Sequence, residues 1–177
     1  MKKSIKLFVA IMAVLFLILT GCSKSKPAQQ TEFKFLELDD GTSYQGDWSN
    51  DMPNGKGKYT SSSGAVYIGD FVNGEFHGIG RYEYTNGDVY EGFWSNGKRN
   101  GEGRMIFKNG SVYEGDFFED TIQGKGKAKY ANGDVYEGEW IYIKDEDNSY
   151  PNGKGKKTYA NGEVKEGNWK EGEFVGK

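Results

Sequence analysis

Tyr90-Glu91-Gly92-Phe93-Trp94 is one copy of a short pattern, and the spacing of its copies indicates how the whole chain is organised. The pattern is Tyr-x-Gly-x-aromatic, and its leading tyrosines follow one another every 23 residues. A last copy keeps the glycine and the aromatic residue but begins with lysine. A fixed period in this range predicts an array of one supersecondary unit. The units begin near Tyr44, Tyr67, Tyr90, Tyr113, Tyr136 and Lys165.

Each unit is predicted to be a β-hairpin. In the third unit, Tyr90, Gly92 and Trp94 alternate along one face of the first strand. We expect a six-residue loop at 95–100 and then a returning strand, which an Asn109-Gly110 turn joins to the next unit. Because every connection is short and local, the strands should run antiparallel.

The repeated aromatic residues are predicted to form the core. Pairs of glycines such as Gly101 and Gly103 recur in the returning strands, and glycine within a strand suits close approach by another group. Rings can therefore pack on bare backbone, each contributing about 2 kcal/mol when well buried. The expected core side chains are Tyr44, Trp48, Tyr67, Phe71, Tyr90, Trp94, Tyr113, Phe117, Tyr136, Trp140 and Trp169.

The whole pattern resembles the MORN (membrane occupation and recognition nexus) repeat. Tyr-x-Gly-x-aromatic, then Gly-x-Gly, then Asn-Gly recurs across residues 33–177. The resemblance implies an all-β fold, an elongated antiparallel meander of stacked MORN β-hairpins that form one twisted sheet. The segment at 33–38 is expected to be a degenerate first unit that caps the array.

The N-terminus resembles the export signal of a bacterial lipoprotein. Three lysines among the first six residues precede an apolar run at 7–19, which is shorter than the roughly 20 residues that a spanning helix needs. Leu19-Thr20-Gly21-Cys22 resembles a lipobox, which implies cleavage before Cys22 and acylation of its thiol. Several acyl chains on one residue would anchor the protein firmly.

These observations divide the chain into three parts and predict its location. We expect export and lipid anchoring to a bacterial membrane, either the outer membrane or the outer face of the cytoplasmic membrane. The parts are a signal peptide at 1–21, the lipidated Cys22 with a flexible tether at 22–32, and a MORN-repeat domain at 33–177.

Charge excludes one class of function. The formal net charge is −3, and the first 21 residues hold three lysines and no acids. The remainder therefore carries 20 basic and 26 acidic residues, a net −6. Nucleic-acid binding is not expected, since it usually needs a basic surface.

Residue types make catalysis unexpected as well. His77 is the only histidine and Cys22 the only cysteine, which leaves no zinc site and no histidine-based catalytic dyad. The repeated columns of glutamates and of lysines or arginines are explained by cross-strand charge pairs. We therefore expect no enzyme activity, no catalytic or metal-binding residues and no cofactor.

The period breaks once, in the fifth unit, where 12 residues rather than six separate Trp140 from Gly153. Insertions in repeat proteins project as loops, often on the binding face. Drift at a tolerant loop is the plainer explanation, because lengthening costs little entropy. A calcium loop is a third interpretation, although the spacing does not match an EF-hand. The candidate partner-binding residues are Tyr142, Asp145, Asp147 and Tyr150.

The function expected from these features is binding without chemistry. The chain is predicted to be a membrane-anchored scaffold for protein–protein interaction, with an unidentified protein partner. An envelope glycan-binding module and a membrane phospholipid-binding module are the alternatives. A homodimer is a further expectation, because a single-layer sheet must cover its aromatic face.

Overall fold

The computed structural model describes residues 31–177, which form one open antiparallel sheet of 13 strands. The strands lie in chain order, so each one is hydrogen-bonded to its neighbours in sequence. This confirms the expected all-β meander of stacked hairpins. The strands are β1 (Glu32–Glu37), β2 (Ser43–Ser49), β3 (Met52–Thr60), β4 (Val66–Val72), β5 (Glu75–Glu83), β6 (Val89–Ser95), β7 (Lys98–Ile106), β8 (Val112–Phe118), β9 (Thr121–Lys129), β10 (Val135–Ile143), β11 (Asn148–Thr158), β12 (Val164–Lys170) and β13 (Glu173–Gly176).

The predicted signal peptide, Cys22 and nearly all of the tether lie outside the described residues. The first described strand, β1, pairs with β2 over six successive residues, from Glu32 opposite Trp48 to Glu37 opposite Ser43. The segment expected to cap the array is therefore a full strand of the sheet. Within residues 31–177, no helix has the length and apolarity needed to cross a membrane.

The turns inside the units are shorter than expected. In the third unit, β6 and β7 are joined by the two-residue turn Asn96-Gly97. The six-residue loop predicted at 95–100 is therefore wrong. Both turn residues have positive φ, 51° for Asn96 and 76° for Gly97, as a type I′ turn requires. A β-bulge absorbs the remaining residues, because the pairing of β6 with β7 shifts register once.

The core is a continuous row of aromatic rings on one face of the sheet, which we call the inner face. Tyr90 is fully buried, and its ring meets that of Trp94 edge-on at 5.2 Å between centroids. The same edge-on contact joins successive units, for example Tyr113 with Trp140 at 5.4 Å. Edge-to-face pairs of this kind add about 1 kcal/mol beyond the area they bury.

The predicted core residues are buried with one exception. Trp48 is only partly buried, because its strand β2 lies one strand from the open end and only β1 covers it on that side. The ammonium of Lys34 covers its ring at 5.2 Å from the centroid. The buried residues of the predicted set are Tyr44, Tyr67, Phe71, Tyr90, Trp94, Tyr113, Phe117, Tyr136, Trp140 and Trp169.

The opposite face, which we call the outer face, carries charged rows. Arg81 Nε lies 3.1 Å from Glu91 Oε1, and Arg104 Nε lies 2.9 Å from Glu114 Oε1 on the next pair of strands. These side chains are about half exposed. Exposed pairs contribute only a few tenths of a kcal/mol to about 1 kcal/mol each, so the aromatic inner face carries most of the stability.

Candidate functional site

One row of side chains crosses the inner face and changes size along the array. Its members alternate with the core tyrosines in the strand register, as Met105 does between Tyr90 and Tyr113. At this position the returning strands carry an aromatic residue in the first two units, methionine in the third and alanine in the fourth. The row is Tyr59, Tyr82, Met105, Ala128 and Lys157.

Because the side chain of Ala128 is small, it leaves a hollow in the inner face at the fourth unit. An open cleft of about 720 Å³ lies over it, which we call the Ala128 cleft. Its floor is apolar and consists of Tyr113, Phe117, Trp140 and Trp169, all of them core residues. Protein pockets that bind ligands are typically apolar hollows of this volume with a few polar groups at the edge.

The insertion of the fifth unit forms one wall of this cleft. It was expected to be a loop at 141–152, and that expectation is wrong. The strands continue instead, with Ile141 opposite Tyr150 and Ile143 opposite Asn148, and a single 3-10 turn (Lys144–Glu146) closes the hairpin. Alternating β-branched and aromatic residues favour strand, which explains the extension.

Three of the four candidate loop residues line the cleft. Tyr142, Asp147 and Tyr150 border it, whereas Asp145 lies in the 3-10 turn and is not part of the lining. The hydroxyl of Tyr142 donates to Asp147 Oδ1 at 2.6 Å. This hydrogen bond to a carboxylate raises the pKa of Tyr142 above its ordinary value. It also links the two ends of the 3-10 turn, which fixes the position of the wall beside the cleft.

The opposite rim is built around Arg99. Its guanidinium carbon lies 5.7 Å from the ring centroid of Tyr90 and 5.5 Å from that of Phe117. Its Nε donates to Asp120 Oδ1 at 3.1 Å, and the backbone N–H of Arg99 donates to the same oxygen at 3.0 Å. Arg99 is therefore a fixed, largely buried cation at the cleft edge.

Lys157 lies at a third side of the Ala128 cleft. Its ammonium lies 3.3 Å from Asp134 Oδ2 and 4.8 Å from the ring centroid of Tyr159. Lys157 stands in the row position that Tyr59 and Tyr82 occupy nearer the N-terminus. The cleft therefore combines an apolar floor with charged groups at its edge, which suits a segment that inserts apolar side chains.

A second hollow lies on the inner face near the N-terminus, with a volume of about 570 Å³. Its lining includes the partly buried rings of Trp48, Tyr59, Phe76 and Tyr82. Phe76 stacks on Tyr67 at 3.9 Å between centroids, whereas the equivalent position of the fourth unit carries the smaller Ile122. This hollow is therefore bounded by rings that already pack on one another.

Within residues 31–177, no group of three or more histidine, cysteine, aspartate or glutamate side chains is arranged to hold a metal ion. His77 lies in β5 opposite Asp70. Its backbone carbonyl accepts a hydrogen bond from Tyr67 at 3.2 Å, so this position is part of the sheet.

The sequence interpretation missed the residues that make the cleft. Tyr59 and Tyr82 were recognisable as aromatic residues of the returning strands. Ala128, at the equivalent position of the fourth unit, belongs to no motif and was therefore not recognised. A comparison of equivalent positions across the units would have shown it. Arg99 was also missed, because a lone arginine after a turn is common on protein surfaces.

A comparison with protein families agrees with the repeat architecture. The MORN repeat family profile matches residues 44–66, 67–89, 90–112, 113–135 and 148–164, together more than half of the chain. The unmatched interval, 136–147, contains all of β10 except Val135, and β10 is the first strand of the hairpin that carries the insertion. No curated protein sequence matches the chain.

One solved structure that is similar to the chain is the TCP domain of SAS-4 (dCPAP) of Drosophila melanogaster, in complex with a proline-rich motif of Ana2 (dSTIL). The alignment covers 85% of this chain and 96% of that domain, with 14% sequence identity and a TM-score of 0.39.

Proposed function

We propose that this chain, which belongs to the MORN repeat family, is a non-catalytic binding scaffold held at a bacterial membrane by an acylated Cys22. MORN arrays suggest a binding or scaffold module. The observation that supports a specific site is the Ala128 cleft, where the regular inner face is hollowed and walled by the inserted hairpin. The occupant proposed for it is a segment of a partner protein.

Two independent irregularities meet at this cleft. The row that carries tyrosine in the first two units shrinks to Ala128, and the only lengthened hairpin of the described units rises beside it. A cavity inside a repeat array costs stability, because the lining loses packing partners. The hollow and its wall together are readily explained by binding.

The cleft can be closed without altering the architecture. Ala128→Tyr restores the residue found at positions 59 and 82, and its ring would lie over Trp140 as Tyr82 lies near Trp94, at 5.9 Å between centroids. Replacement of residues 142–149 by Asn-Gly would give the fifth unit the same turn length as the third. Both variants keep every repeat and remove either the hollow or its wall.

Photo-crosslinking in intact cells tests the site. A photoreactive phenylalanine analogue at position 142, in the full chain, should form a discrete adduct with a protein. Ala128→Tyr should abolish that adduct, whereas the matched outer-face change Ile68→Tyr should leave it unchanged. An adduct that persists with Ala128→Tyr, or none from any cleft position, would contradict the proposed site.

The membrane anchor is tested separately. Leu19-Thr20-Gly21-Cys22 supports acylation of Cys22, and globomycin should then cause the unprocessed precursor to accumulate. Cys22→Ser should prevent acylation, so the protein should no longer be labelled by a radioactive fatty acid and should remain at the size of the precursor. Unchanged processing in the presence of globomycin would argue against a lipoprotein.

Two further measurements separate the scaffold from its alternatives. Peptidoglycan fragments should leave tryptophan fluorescence unchanged, although Trp140 and Trp169 lie in the cleft floor. A chain that begins at Ser23, without the signal peptide and the acylated cysteine, should not co-sediment with anionic liposomes. A fluorescence change that Ala128→Tyr removes would favour glycan binding, and liposome binding without the anchor would favour a lipid-binding module.

A further inference from the structure

The sheet is open, so its two terminal strands each carry a row of backbone groups that no other strand of residues 31–177 pairs. Such a row is a template for another strand unless it is short, bulged or charged. β13 has four residues, and its pairing with β12 shifts register between Asn168 and Trp169. β1 has six residues, no proline and an unbroken register. Of the two edges, β1 is the one without protection.

The free backbone groups of β1 follow from its pairing with β2. The N–H of Leu38 donates to the carbonyl of Thr42 at 2.8 Å, so this pair is hydrogen-bonded across the hairpin. Hydrogen-bonded pairs alternate along an antiparallel ladder. Leu36, Lys34 and Glu32 therefore direct their backbone groups toward β2. The N–H and carbonyl groups that point to the free edge are those of Phe33, Phe35 and Glu37.

The side chains of β1 leave this edge apolar. Phe33 is 67% exposed and Phe35 is 49% exposed, both on the outer face. Lys34 is the only cation of the strand, and charged residues are what usually prevents an edge strand from pairing with another chain. Its ammonium lies over the Trp48 ring on the inner face and 3.4 Å from Glu32 Oε2, so its charge is engaged within the chain.

We propose that two copies of this chain associate through this edge, with their β1 strands paired antiparallel about a two-fold axis at Phe35. In this register Phe35 lies opposite Phe35 of the second copy, and Phe33 lies opposite Glu37. Every free N–H of the three edge residues then meets a carbonyl of the other copy. The four phenylalanine rings form one cluster on the outer face, where cross-strand aromatic pairs stabilise a sheet.

Charge disfavours the neighbouring register. Moving the axis to Lys34 would place the two lysines directly opposite each other, and like charges in that position are destabilising. With the axis at Phe35, Lys34 lies opposite Leu36 instead, and no two like charges of the paired strands are directly opposed. β1 is in this sense complementary to itself, which is why a second copy is the occupant proposed for it.

Closure also favours a dimer over a filament. Pairing of β1 with itself is isologous and ends with two copies, whereas pairing of β1 with β13 would propagate without limit. The register shift in β13 opposes the second arrangement. The proposed dimer would be one sheet with an inner face that continues across the axis.

Native mass spectrometry of the full chain, carrying Cys22→Ser and released from detergent micelles, tests the proposal. A dimer should form as protein concentration rises. Phe35→Lys places like charges on the axis and removes the central ring pair, so it should weaken the dimer roughly tenfold or more. The matched change Phe93→Lys, on the same outer face but far from the edge, should leave the dimer intact. Thermal unfolding of both variants checks that they fold.

Two further variants examine the edge itself. Phe35→Pro removes one free-edge N–H without disturbing the β1–β2 ladder, because proline is tolerated where that N–H faces solvent. It should abolish the dimer and leave the fold unchanged. In the Cys22→Ser background, Phe35→Cys should give a disulfide-linked dimer on mild oxidation, and Val175→Cys at the other edge should not.

Several results would overturn the proposal. A monomer at all concentrations would exclude self-association, and a ladder of growing oligomers would indicate a β1–β13 contact. A dimer that survives both Phe35→Lys and Phe35→Pro would place the contact on another surface. Occupation of the edge by a different protein, with no dimer of this chain, would also contradict the proposal.

Discussion

The ring of Tyr90 occupies the space that a β-carbon on Gly103 would need, with its Cζ atom 2.7 Å from that position. The two residues lie on paired strands, and Gly103 itself is directly opposite Gly92. The same relationship recurs in the neighbouring units, for instance between Tyr113 and Gly126. Glycine therefore stands in these strands because each tyrosine ring lies on bare backbone.

Gly103→Ala should destabilise the protein by about 1–3 kcal/mol, because the added methyl group forces the buried Tyr90 ring out of its place. Urea unfolding followed by tryptophan fluorescence measures the loss. Gly110→Asn is the matched control, since no atom lies within 4 Å of its β-position and asparagine tolerates the φ of 88° found there. Equal losses in the two variants would mean that the close approach is not the cause.

Tyr90→Phe should cost roughly 1–3 kcal/mol even though the ring remains. The hydroxyl of Tyr90 donates to the carbonyl of Phe93 at 2.9 Å, at the bulge where that carbonyl leaves the strand ladder. Loss of the donor leaves a partly buried acceptor without this partner. Tyr59→Phe is the control, because no hydrogen bond of its hydroxyl is present among residues 31–177. An unaffected unfolding midpoint in Tyr90→Phe would contradict this role.

Asp116→Ala should destabilise the fourth unit by roughly 1 kcal/mol. Asp116 Oδ2 accepts the backbone N–H of Lys125 at 2.8 Å, and Asp47 and Asp70 make the same contact in the first two units. The third unit carries Phe93 at this position. Phe93→Asp should therefore raise the unfolding midpoint by supplying the missing acceptor, and a decrease would show that the column is not a backbone cap.

Stability should fall steeply between pH 10 and pH 12. Burial raises the pKa of Tyr44, Tyr90 and Tyr136 to about 12, against about 10 in an unfolded chain. Because the folded-state pKa is raised, the stabilisation is complete below pH 10. It is lost as the unfolded chain deprotonates, by up to about 1.4 kcal/mol per pH unit for each tyrosine. Urea midpoints at pH 9 and pH 11 measure the slope.

The same series contains its own control. Tyr90→Phe removes one of these ionisations, so the loss of stability between pH 9 and pH 11 should be smaller in that variant. Burial also raises the pKa of Tyr67 and Tyr113, which keeps most of the slope in place. A pH dependence that is identical in both proteins would show that Tyr90 ionises equally in the folded and unfolded states.

Sequence reasoning succeeded where the period repeats a physical constraint. The spacing of Tyr90 and its equivalents predicted hairpins, antiparallel pairing and a core of rings, because each unit must bury the same face against the next. It failed on loop length. Asn96-Gly97 and Asn109-Gly110 are both turns, but the polar residues 98–100 gave no sign that the returning strand begins directly after the first turn.

By itself, the sequence determined the fold class, the order of the strands and the residues of the core, since a 23-residue period leaves only local pairing open to each unit. The Ala128 cleft and the free edge of β1 depended on the tertiary structure. Ala128 becomes a hollow only when its neighbours in the sheet are larger rings, and Phe35 becomes an edge residue only when the sheet fails to close. Both are properties of what lies beside a residue in space, which a periodic pattern along the chain does not encode.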